Sequence, residues 1–336
     1  MIIEIKNIRR TFRSTKKEAG LKGSLQLLLN PQYQEHEALK DVSFSIEEGS
    51  FNGLIGANGA GKTTLLKILS GLIPPTSGQA TVMGHNPFAR SLDFRKKIAL
   101  VMGQKAQLWW DLPALDAFDL LRAIYEIPDL QYRERLHTLA ELLDVQNHLH
   151  TQIRRLSLGE RMKMELIGAL IHWPKVIFLD EPTIGLDVLA AHKLREFLKI
   201  FNQKEKATII LTSHNMDDIE RLCSRVLILR SGSLIYDGTP DGLTEKGARV
   251  LKVRLLESPT LSEVQQTSTL PLESIHEGED EETKDRAFYF QIKQDQIVGV
   301  LQNLLKRFQI VDMGIEEPSL EKVIQRIYQE EKQERV

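Results

Sequence analysis

Residues 56–64 read Gly-Ala-Asn-Gly-Ala-Gly-Lys-Thr-Thr, which puts Gly56, Gly61, Lys62 and Thr63 at the spacing G-x-x-x-x-G-K-[ST]. Glycines at these points let consecutive backbone N–H groups turn inward around an anion with no Cβ in the way. The lysine reaches the β- and γ-phosphates of a nucleoside triphosphate, and the hydroxyl after it is a ligand for Mg²⁺. Gly56, Asn58, Gly59, Ala60, Gly61, Lys62, Thr63 and Thr64 are therefore the expected phosphate cradle. A second group comes from Val176-Ile-Phe-Leu-Asp180-Glu181, an apolar run that ends in adjacent carboxylates. Asp180 is suited to hold Mg²⁺ through its water shell, and Glu181 to polarise an attacking water as general base. His214 closes the apolar run Thr208–Ser213 and can reach a γ-phosphate or orient the base. Gln104, just beyond Ala99–Met102, is a candidate reporter of nucleotide state through Mg²⁺ and the attacking water.

These side chains need a scaffold that brings several strand ends together. Between Met1 and about Gly242, strand-like runs alternate with helical periodicity, which predicts an α/β fold. The expected strands are Ile2–Ile8, Val42–Ile46, Phe51–Ile55, Gln79–Met83, Ala99–Met102, Val176–Asp180, Thr208–Thr212 and Arg225–Arg230. A helix starting near Gly61 would point its positive dipole end at the cradle. Residues from about 105 to 172 turn helical and strand-poor, so a helical subdomain inserted in the α/β core is expected. Beyond residue 242 the texture changes to a small α+β domain, 243–336. Its strands are Val250–Leu256, Ala287–Ile292 and Ile310–Ile315, with a helix burying Ile297, Val300, Leu301, Leu304 and Leu305. A last helix after Pro318 is expected to bury Leu320, Val323, Ile324, Ile327 and Tyr328, and the acidic run Glu277–Glu282 to be a solvated loop.

Composition narrows the class. Apolar residues make up 42% and charged residues 27% of 336, as in globular domains with substantial cores. The net charge of −2 gives no electrostatic case for nucleic acid. The single cysteine, Cys223, excludes an internal disulfide framework and fits a reducing compartment. No apolar run approaches the roughly 20 residues that span a bilayer, and the first residues read as a strand rather than a signal-peptide core. A membrane role would therefore need a separate spanning partner.

The order of the motifs carries a resemblance. The cradle, Gln104, the signature Leu156-Ser-Leu-Gly-Glu160, Asp180-Glu181-Pro, the loop Ile184-Gly-Leu-Asp187 and His214 occur in the order found in nucleotide-binding subunits of ABC transporters, and residues 1–242 resemble that family. Ser157 lies 23 residues before Asp180, a spacing that separates this family from kinases and GTPases. The resemblance implies an ATPase with a P-loop core, using ATP and Mg²⁺. It implies a homodimer or heterodimer of such subunits that sandwiches two ATP molecules head to tail. Ser157 and the Gly159 backbone would then approach the γ-phosphate held by the other subunit, and Asp187 would couple the two sites. Phe12 falls where the family places an aromatic that stacks on adenine; the competing reading is a core Phe ending strand one. An integral-membrane permease is the implied partner, with the chain on the cytoplasmic face of the membrane. Ribosome-acting relatives usually fuse two such domains, and only one P-loop is visible here.

The signature departs from the common pattern at Leu158, where glycine is usual, and at Glu160, where glutamine is frequent. Either Leu158 enters the helix with ordinary dihedrals, or the half-site is weakened. The wording around Thr183–Asp187 and the C-terminal domain are similar to ATPases that serve type-2 exporter-like permeases, which implies export. The stretch Val101–Pro113 comes where this family meets its permease, and Trp109 and Trp110 are either interface anchors or residues packed within the helical subdomain. Between Phe12 and Ala38 the chain is longer than a minimal member needs; Leu21, Leu25, Leu28 and Leu29 share one helical face.

Overall fold

The computed structural model describes residues 1–15, 33–103, 106–243, 248–271, 274–280, 283–316, 320 and 323–324. Gln104 and the leucine-rich stretch 21–29 lie outside them, as do Ile327 and Tyr328. Contacts divide the chain into two compact units, Met1–Thr239 and Pro240–Val336.

In the first unit a six-stranded sheet has the order β5-β6-β7-β3-β8-β9. Its strands are β3 (Phe51–Ile55), β5 (Ile98–Met102), β6 (Val176–Asp180), β7 (Thr208–Thr212), β8 (Arg225–Arg230) and β9 (Ser233–Gly238). All neighbours pair in parallel except β8 and β9, which pair antiparallel. Strands β3 and β7 are buried at every position, as expected where a parallel sheet is covered on both faces. A second, antiparallel sheet has the order β2-β1-β4, from β1 (Ile3–Thr15), β2 (Tyr33–Ile46) and β4 (Ser77–Val82). Helix α1 (Lys62–Leu69) buries Leu65, Leu66, Ile68 and Leu69 in one apolar core with residues of both sheets. A short helix α2 (Leu92–Arg95) precedes β5.

Between β5 and β6 run α3 (Ala114–Tyr125), α4 (Asp129–Leu142) and α5 (Leu158–Leu170). Pro113 and Pro128 occupy the N-cap positions of the first two, where a missing N–H costs nothing. Helices α6 (Val188–Glu205) and α7 (Met216–Leu222) complete the unit.

The strands β1 and β2 are longer than the expected Ile2–Ile8 and Val42–Ile46. Past Arg9, where β4 ends its pairing, they continue as a two-stranded ribbon to Thr15 and Tyr33. The segment Gln34-Glu-His-Glu37 has no apolar alternation, so only its partner strand makes it β.

The second unit has a four-stranded antiparallel sheet ordered β11-β12-β10-β13: β10 (Ala248–Leu255), β11 (Ile275–Glu279), β12 (Arg286–Lys293) and β13 (Ile310–Glu316). Helices α8 (Leu261–Ser268) and α9 (Ile297–Leu305) share its core, with Val264, Ile297, Val300 and Leu304 buried among Leu251, Val253, Phe288 and Phe290. Two expectations are corrected here. The first part of the acidic run is edge strand β11 rather than a loop, because Glu277 forks onto Arg286 across the strand pair. Leu305 is exposed, one position off the buried stripe. The described residues of the last helix include Leu320 and Ile324, both buried.

Candidate active site

Parallel pairing puts four strand ends in one row. Met102 lies beside Asp180, Asp180 beside Thr212, and Thr212 beside Leu54. Adjacent strands are about 4.8 Å apart, so the residues just beyond these four share one edge of the sheet. The glycine loop leaves β3 there, Glu181 leaves β6, and Ser213-His214 leave β7. This is the carboxyl edge of an open α/β sheet, where such folds bind ligands.

The glycine loop turns from β3 directly into α1. Gly61 has φ +106°, a conformation that L side chains rarely adopt, and a Cβ there would lie 2.5 Å from the Ala38 carbonyl oxygen. Lys62, the first residue of α1, is buried, and its Nζ donates to the carbonyls of Gly56 (2.6 Å) and Ala57 (3.2 Å). Burial pulls its ammonium below the ordinary lysine value, while the Glu181 and Asp180 carboxylates work in the opposite direction. A polyphosphate in the loop can replace those two carbonyls as the partner of a half-desolvated cation.

The Thr63 hydroxyl donates to Asp180 Oδ2 at 2.8 Å, and the Thr212 hydroxyl donates to Asp180 Oδ1 at 2.7 Å. A hydroxyl and a carboxylate at the mouth of a phosphate loop are hard oxygen donors. That chemistry fits Mg²⁺, which keeps most of its waters and takes one or two protein oxygens. Among the described residues no cluster of three acidic, His or Cys side chains forms a metal cage, so a metal here would depend on phosphate and water for its remaining ligands.

Glu181 comes next with φ 55°, a left-handed conformation that is uncommon for a non-glycine residue. Its N–H is held by the Thr212 carbonyl and hydroxyl, both at 3.0 Å. Its carboxylate Oε1 lies 3.0 Å from His214 Nε2. Thr212 thus grips both carboxylate residues, a role its place at the end of an apolar run does not advertise.

Asp218 on α7 is a second residue that the sequence does not announce, and it is fully buried. It accepts from the Thr183 hydroxyl (2.6 Å), the Ser213 hydroxyl (2.6 Å) and Arg195 Nη1 (2.8 Å). It therefore ties the turn after Glu181 and the turn before His214 to α6. The signal available in the sequence was a carboxylate four residues after a candidate catalytic histidine, which alone is uninformative.

Phe12 is not a core residue: it is 36% exposed on the β1–β2 ribbon, opposite His36, with Arg10 4.5 Å over its ring. His36 is two residues from Ala38, whose carbonyl abuts Gly61. The ribbon thus carries a part-exposed aromatic, overlaid by Arg10, on the same strand pair as Ala38.

Ser157, Gly159 and Asp187 are elsewhere. Among the described residues, no hydrogen bond or ion pair joins them to the glycine loop. Ser157 is the N-cap of α5 in a capping box: its hydroxyl and amide donate to Glu160 Oε2, and the Glu160 amide returns a bond to Ser157 Oγ. The Ser157 backbone bond, then its hydroxyl, hold the Glu160 carboxyl below its ordinary value. Glutamate in the fifth signature position is thus a helix cap. Leu158 is the first helical residue, has a negative φ and is 41% exposed; its side chain reaches the Gly185 turn. Its backbone is that of ordinary helix entry. Asp187 is exposed and N-caps α6 by accepting from the Ala190 amide. Among the described helices none is long and apolar enough to cross a membrane.

The chain is similar to several known proteins. The family model described as "ABC transporter" matches residues 39–184. The chain is 32% identical over 209 residues to the ABC transporter ATP-binding protein NatA of Bacillus subtilis, covering 62% of this chain and 85% of that one. It is 33% identical to the Nod factor export ATP-binding protein I of Cupriavidus metallidurans, over 66% and 73% of the two chains. A relative named for import, the methionine import ATP-binding protein MetN 2 of Enterococcus faecalis, also matches at 28% identity. Among solved structures, the dimeric post-hydrolysis state of the ATP-binding cassette MJ0796 bound to ADP and Pi shares the fold, with a TM-score of 0.59, 24% identity, and coverage of 70% of this chain and 98% of that one.

Proposed function

The chain belongs to the ABC transporter ATP-binding proteins and is an ATPase, and on that premise we propose that it drives export through a separate membrane permease from a site built on the carboxyl edge of its parallel sheet. The observation that carries the reading is the single row in which Lys62, Thr63–Asp180 and Glu181–His214 stand side by side. Lys62 leaves the Gly56 and Ala57 carbonyls for the β- and γ-phosphates. Thr63 and Asp180 would hold Mg²⁺, which neutralises charge on the phosphate oxygens when bound. Glu181, oriented by His214, takes a proton from the attacking water as its oxygen bonds the γ-phosphorus and the bridging P–O bond breaks, releasing ADP. Adenine stacks on Phe12 of the ribbon.

Ser157, Gly159 and Asp187 act on the nucleotide of a second copy or a related subunit in a head-to-tail dimer. The exposure of Ser157 and Asp187, with Gly159 half-buried, and the lack of bonds from all three to the glycine loop support use in trans, as does the dimeric cassette of the same fold. Gln104 is assigned to sensing the nucleotide and its metal. The permease docks at Trp109 and Trp110, 44% and 48% exposed, beside a cleft of about 320 Å³ lined by Trp109, Leu121, Tyr125 and Leu100. The chain then works at the cytoplasmic face of a membrane. Export draws its support from the motif wording and from the Nod factor relative.

If Glu181 is the base, Glu181→Gln lowers turnover by about 10²–10⁴-fold and leaves ATP binding intact, whereas Lys62→Ala weakens binding itself. Near-normal turnover of the Glu181 variant would remove that assignment. Purification of the tagged chain from detergent-solubilised membranes tests the partner: a polytopic protein in stoichiometric yield supports the permease, and ribosomal proteins or DNA in its place would overturn the transport reading.

A further inference from the structure

Helix α5 is capped by Ser157 and devotes one face to the segment that carries Trp109 and Trp110. Arg161, Glu165 and Gly168 are spaced by four and three residues, which stacks them along a single stripe. Glu165 is only 7% exposed. Its carboxylate accepts from two successive backbone amides, Gln107 (3.0 and 3.1 Å) and Leu108 (3.3 and 3.2 Å). One turn nearer Ser157, the Arg161 guanidinium lies 5.1 Å from the Trp110 ring centre. One turn further on, Gly168 leaves room for Leu108, whose Cδ2 would sit 2.9 Å from a Cβ there. The other end of the segment is tied to the sheet, because Gln107 Nε2 donates to the Leu100 carbonyl of β5 at 3.0 Å. Burial lifts the Glu165 carboxyl above its ordinary value, and the two amides pull it back. A buried carboxylate is costly unless it has strong partners, and here those partners are the backbone of another segment.

From this geometry we infer that Glu165 is a positioning residue that locks the Gln107–Trp110 segment to α5, so that displacement of the Ser157 end by nucleotide is delivered to the tryptophan surface. The inference rests on reading Ser157 and Gly159 as nucleotide-facing. Glu165 lies eight residues along the helix, about 12 Å from Ser157 at 1.5 Å per residue. A helix carries such a displacement as a rigid body, and the two amide bonds pass it to residues 107–108, next to Trp109. Glu165 touches neither nucleotide nor water in this scheme; it acts only through the segment it holds.

The test uses tryptophan emission of the full chain. A Trp173→Phe background leaves Trp109 and Trp110 as the remaining tryptophans of the three in the sequence. A non-hydrolysable ATP analogue with Mg²⁺ is the probe, its affinity measured separately by calorimetry. The background chain is expected to shift its emission on binding. Glu165→Ala should bind the analogue with unchanged affinity and lose the shift. Glu165→Gln, whose amide oxygen still accepts both N–H groups, should restore it and shows that the site tolerates substitution. A residue with only a structural role would change the melting temperature and leave the shift in place. Retention of the full shift in Glu165→Ala, or binding without any shift in the background chain, overturns the inference. Failure of the background chain to bind the analogue would sink the nucleotide site itself, a separate result.

Discussion

Removing the Asp218 carboxylate is the most quantitative test of how the site is held. Asp218 and Arg195 form an ion pair with side chains 0% and 8% exposed, and the same carboxylate takes hydroxyl bonds from Thr183 and Ser213. Asp218→Ala leaves the Arg195 guanidinium buried with no counter-charge. Breaking one partner of a buried pair costs about 3–5 kcal/mol, and the two stranded hydroxyls each add about 1 kcal/mol at most, since they can turn to other acceptors. A loss of about 4 kcal/mol is a large part of the stability of a domain, typically 5–15 kcal/mol. With a urea slope of about 2–3 kcal/mol/M, the first unit's unfolding midpoint should fall by about 1.3–2 M. The cost is mostly an orphaned charge, so adding Arg195→Met should recover about 1–3 kcal/mol of it. Urea unfolding of the parent, both single variants and the double variant closes the cycle. A midpoint drop below about 0.5 M for Asp218→Ala, or a double variant as unstable as the two losses added together, would refute this account of the network.

Three further outcomes are expected. A Cβ on Gly103 would lie 2.1 Å from the Glu181 carbonyl oxygen, so Gly103→Ala must push the base or β5 aside; turnover in steady-state phosphate release should fall by at least about tenfold, and an unchanged rate would mean Glu181 tolerates displacement. Leu158→Gly removes a helical first-turn residue and costs about 1 kcal/mol in thermal unfolding, with turnover within a few-fold of the parent because the backbone is already ordinary; a large gain in rate would show Leu158 to be an inhibitor of the site. Burial lowers the His172 pKa from 6.5 to about 4, with its Nε2 on the Ile98 carbonyl and its ring stacked on Tyr125. The unfolded chain then takes up the proton first as pH falls through 6.5, so stability drops between pH 6.5 and 4; His172→Phe should remove about 2 kcal/mol of the difference between urea stabilities at pH 7 and pH 5, and an unaltered difference would contradict the assignment.

Legibility in the sequence tracked physical locality. The strands Phe51–Ile55, Val176–Asp180, Thr208–Thr212 and Arg225–Arg230 agree to the residue, because strands covered on both faces are continuous apolar runs with abrupt polar ends. The glycine loop, Asp180, Glu181 and His214 were readable for the same reason, since each stands where such a run stops. The hidden features depend on distant partners. The Gln34–Glu37 half of β2 is polar on both faces and takes its strand form by pairing with β1, and Glu277 is held in β11 by Arg286, diagonally across from it on β12. Thr212, Asp218 and Glu165 have no local signature, because each acts through bonds to residues that only the parallel register and the packing of α5 bring near.

The central proposal is a nucleotide sandwiched between the glycine loop of one chain and Ser157 of another. The most direct measurement is the solution mass of Glu181→Gln by light scattering, with and without saturating Mg-ATP. The account requires a monomer without nucleotide, a mass of two chains with two ATP bound, and return to monomer when Ser157→Arg is added while ATP still binds. A chain that binds ATP and stays monomeric would contradict pairing with a second copy, and a dimer indifferent to Ser157→Arg would contradict the sandwich itself.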